Sequence, residues 1–384
     1  MDRFEAFVGR VPSPSFVIDR GVLRRNAAVL ADVQERSGAK VLLALKGFAA
    51  FPFFDELRGV LAGCSGSGAW EGQLAREEFG GEVHLSSAAY SDDEFEACLG
   101  LADHLVFNSL GQWERFGARV LECGREVSCG LRVNPECRQG KVALYDPCVA
   151  GSRLGVRAAE IGAAGGWPEG VEGLHVHTLC EQNSDALERM VEALEERFGR
   201  WLEGLKWVNL GGGHHLVAEG YDIDRLVRVV RRFRERWGVE VVLEPGEGVV
   251  LGSGCLVATV EDVLENDGAI AMLDVSATAH MPDVLEMPYR PEVAGAGMPG
   301  EKAFTFRLGG STCLAGDFIG EYSFDAPLEV GDRLVFEEMA HYTLVKTTMF
   351  NGVVHPALVS WDPGAGEVVV VRRFGYEDYR GRMG

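Results

Sequence analysis

The chain predicts an α/β fold, a (β/α)8 barrel of the TIM type followed by a C-terminal β-rich domain. Three observations predict it. Eight short apolar runs recur over residues 41–245 with segments of helical period between them, the pattern of parallel strands joined by crossover helices. Several of these runs end in polar or glycine-rich turns, where barrels carry their chemistry. Beyond about residue 250 the texture changes to strand-like runs without intervening helices. A doubly wound open sheet shares the alternation and is the competing arrangement. The glycine turn after the seventh run, where barrels commonly bind phosphate, favours the barrel.

The elements follow in order. Val22, Leu23, Val29, Leu30 and Val33 mark an amphipathic helix ahead of the first barrel strand. The strands read VLLAL (41–45), LAGCSG (61–66), EVHLSS (82–87), HLVFNS (104–109), CGLRVN (129–134), GLHVHT (173–178), WVNLGG (207–212) and EVVLEP (240–245). In DRLVRVVRRFRERWG (224–238), Leu226, Val229, Val230 and Phe233 share a helix face, and Gly238 is placed to end it. GCLVATVEDV, AIAMLDVSA, RLVFEEM and EVVVVRRF are the strands expected of the second domain, joined by the N-terminal PSPSFVID segment. The boundaries read as 15–250 for the barrel and 251–384, with 1–14, for the β-rich domain.

Composition narrows the function. The 384 residues are 47% hydrophobic and 25% charged, ordinary for a soluble globular protein. No apolar run reaches the roughly 18 residues of a membrane span. The start, MDRFEAFVGRVPSP, lacks the basic and apolar segments of a secretory signal. Nine scattered cysteines, with no CxxC pair, point away from structural disulfides and toward a reducing cytoplasm. Cys64, Cys98, Cys129 and Cys255 sit among small or apolar neighbours and are expected to pack. A net charge of −21 argues against nucleic acid and anionic membrane surfaces and suits a cationic substrate.

Lys46 ends the first apolar run. A lysine there commonly just reaches solvent. Its other use is a covalent bond from the amine to a cofactor aldehyde, as in enzymes that carry pyridoxal phosphate. The Gly211-Gly212-Gly213 turn lets backbone N–H groups approach an anion. Glu244, in EPG after the eighth run, suits a pyridine nitrogen that must stay protonated, or else a helix cap or a rim salt bridge. The alternation in HVHTLCEQ is read as placing His175 and His177 on opposite sides of the strand, with His177 free to stack on a cofactor ring and His175 a packing residue. A zinc site using these histidines with His214 and His215 lacks a spacing such as HExxH. In GSTCLAGD, Cys313 sits in a polar, glycine-flanked loop like a reagent, with Asp317 near enough in sequence to hold an ammonium. Tyr342, in AHYT, could donate to a phosphate.

The order LALK, HVHTLCEQ, NLGGGHH, LEPGE, HMPDVLEMPYRP, GSTCLAGD, AHYT and FNG resembles the alanine-racemase-like pyridoxal phosphate decarboxylases nearly end to end. That group contains the ornithine, arginine and diaminopimelate enzymes. HTLCEQ, NLGGGHH and TCLAGD resemble its carboxynorspermidine (carboxyspermidine) branch in particular. The resemblance implies a carboxylated triamine as substrate and pyridoxal 5'-phosphate as cofactor. It makes Lys46 the cofactor-linked lysine, His177 the ring-stacking residue and Glu244 the pyridinium partner. Gly211, Gly212 and Gly213, with Tyr342, would hold the phosphate. Cys313 would be the acid that protonates the substrate carbon after CO2 leaves, acting on the other subunit of an obligate homodimer. Asp317 would contact substrate.

Two departures from the family pattern follow. Glu247 stands after EPG, where ornithine-type enzymes have a phosphate-gripping arginine. An acid there would repel phosphate and is expected to face a cationic substrate, together with Asp283 and Glu286. Gly47 stands where the family suggests a cysteine, and is expected to affect packing. Diaminopimelate or ornithine decarboxylation is the rival activity. A non-catalytic cofactor carrier is the rival of another class, and the second domain weighs against it.

Overall fold

The computed structural model describes residues 3–140 and 143–384. It divides into two compact units, Arg24–Val249 and Met1–Leu23 with Val250–Gly384.

The first strand, β1 (Ser15–Asp19), stands outside the barrel. The next eight build it: β2 (Lys40–Ala44), β3 (Gly63–Gly66), β4 (Glu82–Ser87), β5 (His104–Phe107), β6 (Ser128–Val133), β7 (Gly173–Val176), β8 (Trp207–Asn209) and β9 (Glu240–Leu243). Each pairs in parallel with the next, and β9 closes onto β2 through Lys40↔Val242 and Val41↔Leu243. All eight expected runs are therefore barrel strands, and closure excludes the open sheet. Their apolar side chains, such as Leu42, Val83, Leu105, Leu131, Leu174, Val208 and Val241, are buried, which makes the sheet's interior dry on both faces.

One indole sets the geometry of the barrel's lower layer. Gly130, Gly173 and Trp207 lie in register on adjacent strands. A Cβ on Gly130 or Gly173 would stand 2.3 or 1.9 Å from the Trp207 ring, so two glycines make the space that one tryptophan fills. Around the barrel, the Ile223–Trp237 helix buries Leu226, Val229, Val230 and Phe233 as its sequence predicts. Gly238 ends it in the left-handed conformation, φ 68°, with its N–H on the Arg234 carbonyl.

The second unit is a mixed sheet of β1 with β10 (Gly254–Glu265), β11 (Ala269–Leu273), β12 (Phe304–Gly309), β13 (Phe318–Phe324), β14 (Arg333–Glu337), β15 (Ala357–Asp362) and β16 (Glu367–Arg372). The order is β13-β12-β11-β10-β1-β15-β16, with β14 also on β10. The boundary at residue 15 therefore needs correcting. Ser15–Ile18 pairs antiparallel with Gly254–Val257, and β1 pairs in parallel with β15 on its other side. With both edges occupied, β1 has no partner to seek in the barrel, and its residues Ser15–Ile18 are buried. β12, β13 and β15 also lie outside the runs read from sequence. β13 is interrupted by Gly320 and Glu321, and β12 leaves Phe304, Thr305 and Arg307 exposed.

Candidate active site

The C-terminal ends of the barrel strands bring most of the expected residues together. Lys46 lies in the turn after β2, and its Nζ is 3.4 Å from His177 Nε2. His177 follows β7. Its Nδ1 accepts the Gly212 N–H at 3.2 Å, which leaves the ring proton on Nε2, facing the lysine. The lysine reaches solvent through the barrel mouth but is crowded by protein on its other sides. Loss of solvation lowers the pKa of its ammonium, Glu244 pulls the other way, and Arg132 adds to the lowering. Burial likewise drives His177 well below the ordinary histidine range, helped by Lys46 and Arg132. Both groups are thus biased toward their neutral forms.

Glu244 follows β9 and is only 8% exposed. Its Oε1 accepts the Asn209 side-chain amide at 2.6 Å, and its Oε2 stands 3.4 Å from His175 Nε2. Burial raises this carboxyl's pKa, but His175 and Asn209 outweigh it and hold it at about 2. Burial lowers the pKa of His175, while Glu244 pulls it the other way. Neither ring nitrogen of His175 makes a hydrogen bond among the described residues. His175 and His177 do not face opposite sides of the strand. Residues two apart share a face, and the two rings lie 6.0 Å apart.

The glycine turn is built by close approach. A Cβ on Gly211, Gly212 or Gly213 would stand 2.5, 2.2 or 1.9 Å from the carbonyl oxygens of Val176, Glu244 and Leu179, respectively. Gly211 and Gly213 also have φ of 72° and 80°, which L side chains rarely adopt. Asn209 Oδ1 takes the Gly211 N–H at 2.8 Å. Asn209 therefore ties the turn and the Glu244 carboxylate to one side chain. Sequence reasoning passed over Asn209, and over Arg132, which lies in register with His175 and donates to the His177 carbonyl at 3.2 Å. The available signal was a cation inside the apolar run CGLRVN. Glu71, after β3, is a further acid whose charge acts on Lys46.

Glu247 opens the short Glu247–Val250 helix, with Oε2 3.5 Å from His215 Nε2. Its charge raises the Cys180 thiol, which burial already pushes up to about 11. The charges of Cys180 and Lys46 also act on one another. Gly47 packs as expected: a Cβ there would lie 2.8 Å from Gly246 Cα and 2.9 Å from Glu247 N.

Asp283, Cys313, Asp317 and Tyr342 belong to the second unit. Cys313 is exposed, as a reagent must be, whereas Cys64, Cys98, Cys129 and Cys255 are buried. Asp317 corrects the sequence reading. It is 3% exposed, and its carboxylate accepts Ser276 Oγ, Thr312 Oγ1, Thr312 N–H and Thr278 N–H at 2.6–3.1 Å. Three of these donors share Oδ2 and one takes Oδ1, and a carboxylate buried and bonded in this way serves to order the cysteine loop. Asp283 is also engaged: Lys346 binds it and Glu286, the latter at 2.9 Å. Tyr342 precedes the Thr343–Lys346 helix at φ 27°.

These residues fit pyridoxal phosphate. The fit rests on a lysine of lowered pKa, an ionised buried carboxylate, a histidine, His175, whose buried ring nitrogens have no hydrogen-bond partner among the described residues, and a glycine turn that no Cβ could enter. The ligand atoms of His175, His177 and Glu244 also lie within 4.8 Å of one another, and so do those of Glu82, His84 and His104 on the opposite side of the barrel. The rings of His84 and His104 are stacked 3.9 Å apart.

Comparison with known proteins agrees. A family model described as pyridoxal-dependent decarboxylase, C-terminal sheet domain, matches residues 16–340. A carboxyaminopropylagmatine decarboxylase of Synechocystis sp. is 50% identical over 97% of this chain and 96% of its own length. A carboxynorspermidine/carboxyspermidine decarboxylase of Campylobacter jejuni is 42% identical over 97% of this chain and 99% of its own. The crystal structure of a Campylobacter jejuni carboxynorspermidine decarboxylase with norspermidine superposes with a TM-score of 0.88, covering 97% of this chain and all of that one. With the site geometry, these likenesses establish the chain as a member of the pyridoxal-dependent decarboxylases.

Proposed function

We propose that the protein decarboxylates carboxynorspermidine and carboxyspermidine, releasing CO2 and norspermidine or spermidine in polyamine biosynthesis. The observation that carries the reading is Glu247, an acid on the turn packed against the one that holds Lys46 and Gly47. A substrate that joins an amino-acid head to a cationic amine chain suits a lysine and an acid placed on neighbouring turns. When bound, pyridoxal phosphate would supply the electron sink that accepts the pair left behind by CO2.

The chain's own residues do the rest. Lys46, biased toward its neutral amine, would be the residue that holds the cofactor through its aldehyde. Glu244 would keep the ring nitrogen protonated, and His177, an imidazole biased toward its neutral form beside Lys46, would pack on the ring. Of the glycine turn, Gly213 would offer its N–H to the phosphate, with the Tyr342 hydroxyl contributing; the Gly211 and Gly212 N–H groups are taken by Asn209 and His177. Glu247 draws a distal ammonium of the substrate outward. Cys313 gives its thiol proton to the substrate's α-carbon. The acidic pair expected for substrate, Asp283 with Glu286, is engaged by Lys346, so Glu247 carries that role.

The proposal includes a homodimer in which each Cys313 loop serves the partner's barrel. Supporting it, Leu314 and Phe350 are exposed near Cys313 in the second unit, and Trp70 is 89% exposed in the short Ala69–Leu74 helix that follows β3. A cytoplasmic setting is supported by nine unpaired cysteines and by the lack, among the described residues, of a helix long and apolar enough to cross a membrane.

A second reading is carried by the 50% identical relative, named for a substrate ending in a guanidinium. Such an end would meet Glu247 through a planar two-point contact. The test is to give the purified protein pyridoxal phosphate and then each of five compounds in turn: carboxynorspermidine, carboxyspermidine, carboxyaminopropylagmatine, diaminopimelate and ornithine. CO2 and amine are quantified. The first two differ by one methylene, so both should turn over, within about 10–200-fold of each other. Turnover of the guanidinium compound alone would establish the second reading, and turnover confined to diaminopimelate or ornithine would overturn both.

A further inference from the structure

The loop bearing Cys313 is held at two points, and only one of them is Asp317. That carboxylate fixes Thr312 through its N–H and its hydroxyl. The next residue is fixed from elsewhere: the Cys313 N–H donates to Asn351 Oδ1 at 2.8 Å. Asn351 lies in the Phe350–Gly352 turn with φ 59° and ψ 12°, the left-handed region that few residues other than glycine, asparagine and aspartate adopt readily. The position thus asks for two things at once, a left-handed backbone and a side-chain acceptor. Asparagine satisfies both.

We propose that Asn351 is a positioning residue for proton delivery by Cys313; this rests on the proposed role of Cys313. A hydrogen bond to the cysteine's own backbone N–H sets the direction of its Cα–Cβ bond and hence the reach of the thiol. Direction matters because two carbons compete for the proton. Delivery from sulfur to the substrate's α-carbon leaves a thiolate, which solvent reprotonates, and releases the amine. Delivery to the cofactor's former aldehyde carbon, one nitrogen away, oxidises the substrate carbon instead. Hydrolysis then releases an aldehyde, and the substrate nitrogen stays on the cofactor as an amine. A misplacement of about 1 Å is enough to change such a competition.

The test uses the holoenzyme and its Asn351→Gly, Asn351→Asp and Cys313→Ala variants. Glycine accepts the left-handed backbone but deletes the acceptor, and aspartate keeps both. The first readout needs no substrate: amide hydrogen exchange of the peptide spanning 310–317. Asn351→Gly should speed exchange at Cys313 about fivefold, the factor expected of one lost hydrogen bond. The second readout is the fraction of product released as aldehyde, which should rise by about the same factor. Asn351→Asp should match the parent in both. Faster exchange with an unchanged product ratio in Asn351→Gly, while Cys313→Ala does raise the aldehyde fraction, would overturn the positioning role alone. An unchanged ratio in Cys313→Ala would remove the reading of Cys313, and the proposal with it.

Discussion

A buried carboxylate with four donors is a structural part, and Asp317 shows how that differs from a substrate contact. Replacing it by asparagine removes the charge and turns one acceptor into a donor facing two hydroxyls and two N–H groups. The expected cost is roughly 2–4 kcal/mol of stability, read from urea unfolding of the holoenzyme, with KM for the carboxylated triamine unchanged. A raised KM at parental stability would return Asp317 to the substrate. At this scale the barrel half of the site was readable in the sequence. Lys46, His177 and Glu244 each end an apolar run, where a polar side chain needs a reason to be. Arg132 and Asn209 escaped notice because they sit within runs whose periodicity already explained them. The burial of Asp317 escaped because two of its four donors, Ser276 and Thr278, come from far upstream.

Among the elements, two turns packed back to back hold the site together. The turn carrying Lys46 presses Gly47 against the Pro245–Glu247 turn, and Ala44 donates its N–H to the Pro245 carbonyl at 3.0 Å. Gly47→Ala places a methyl 2.8 Å from Gly246 Cα, against backbone that has little room to retreat. The expected loss is about 1–3 kcal/mol, visible as a lower melting temperature. KM for the cationic substrate should rise as well, because Glu247 moves with the turn. A variant as stable as the parent would show that the turns tolerate separation. The barrel strands were legible as elements because each is a short, fully apolar run between helices of clear period. β12, β13 and β15 were not. β12 leaves half of its side chains exposed, β13 is interrupted by Gly320 and Glu321, and the pairing of β15 with β1, as in Ser15↔Ala357, joins the two ends of the chain.

For the whole molecule, the proposed dimer makes a prediction that no single chain could satisfy. Lys46→Ala and Cys313→Ala should each form almost no amine product, the second because its turnover is diverted to aldehyde. Mixed in equal amounts and allowed to exchange subunits, they should regain about a quarter of the parental activity, since half the dimers are mixed and each of those holds one complete site. Activity no higher than the sum of the separate variants would confine each site to a single chain. The periodic spacing of apolar runs was enough to settle the barrel, and a lysine and a glutamate at strand ends were enough to suggest the cofactor, because both signals are local. Membership of β1 in the sheet, the inward turn of Asp317, the pairing of Asp283 with Lys346 and the hold of Asn351 on Cys313 had no local signal. Each depends on which distant backbone or charge arrives beside the residue, and that is decided by hydrogen-bond satisfaction and desolvation in the folded chain.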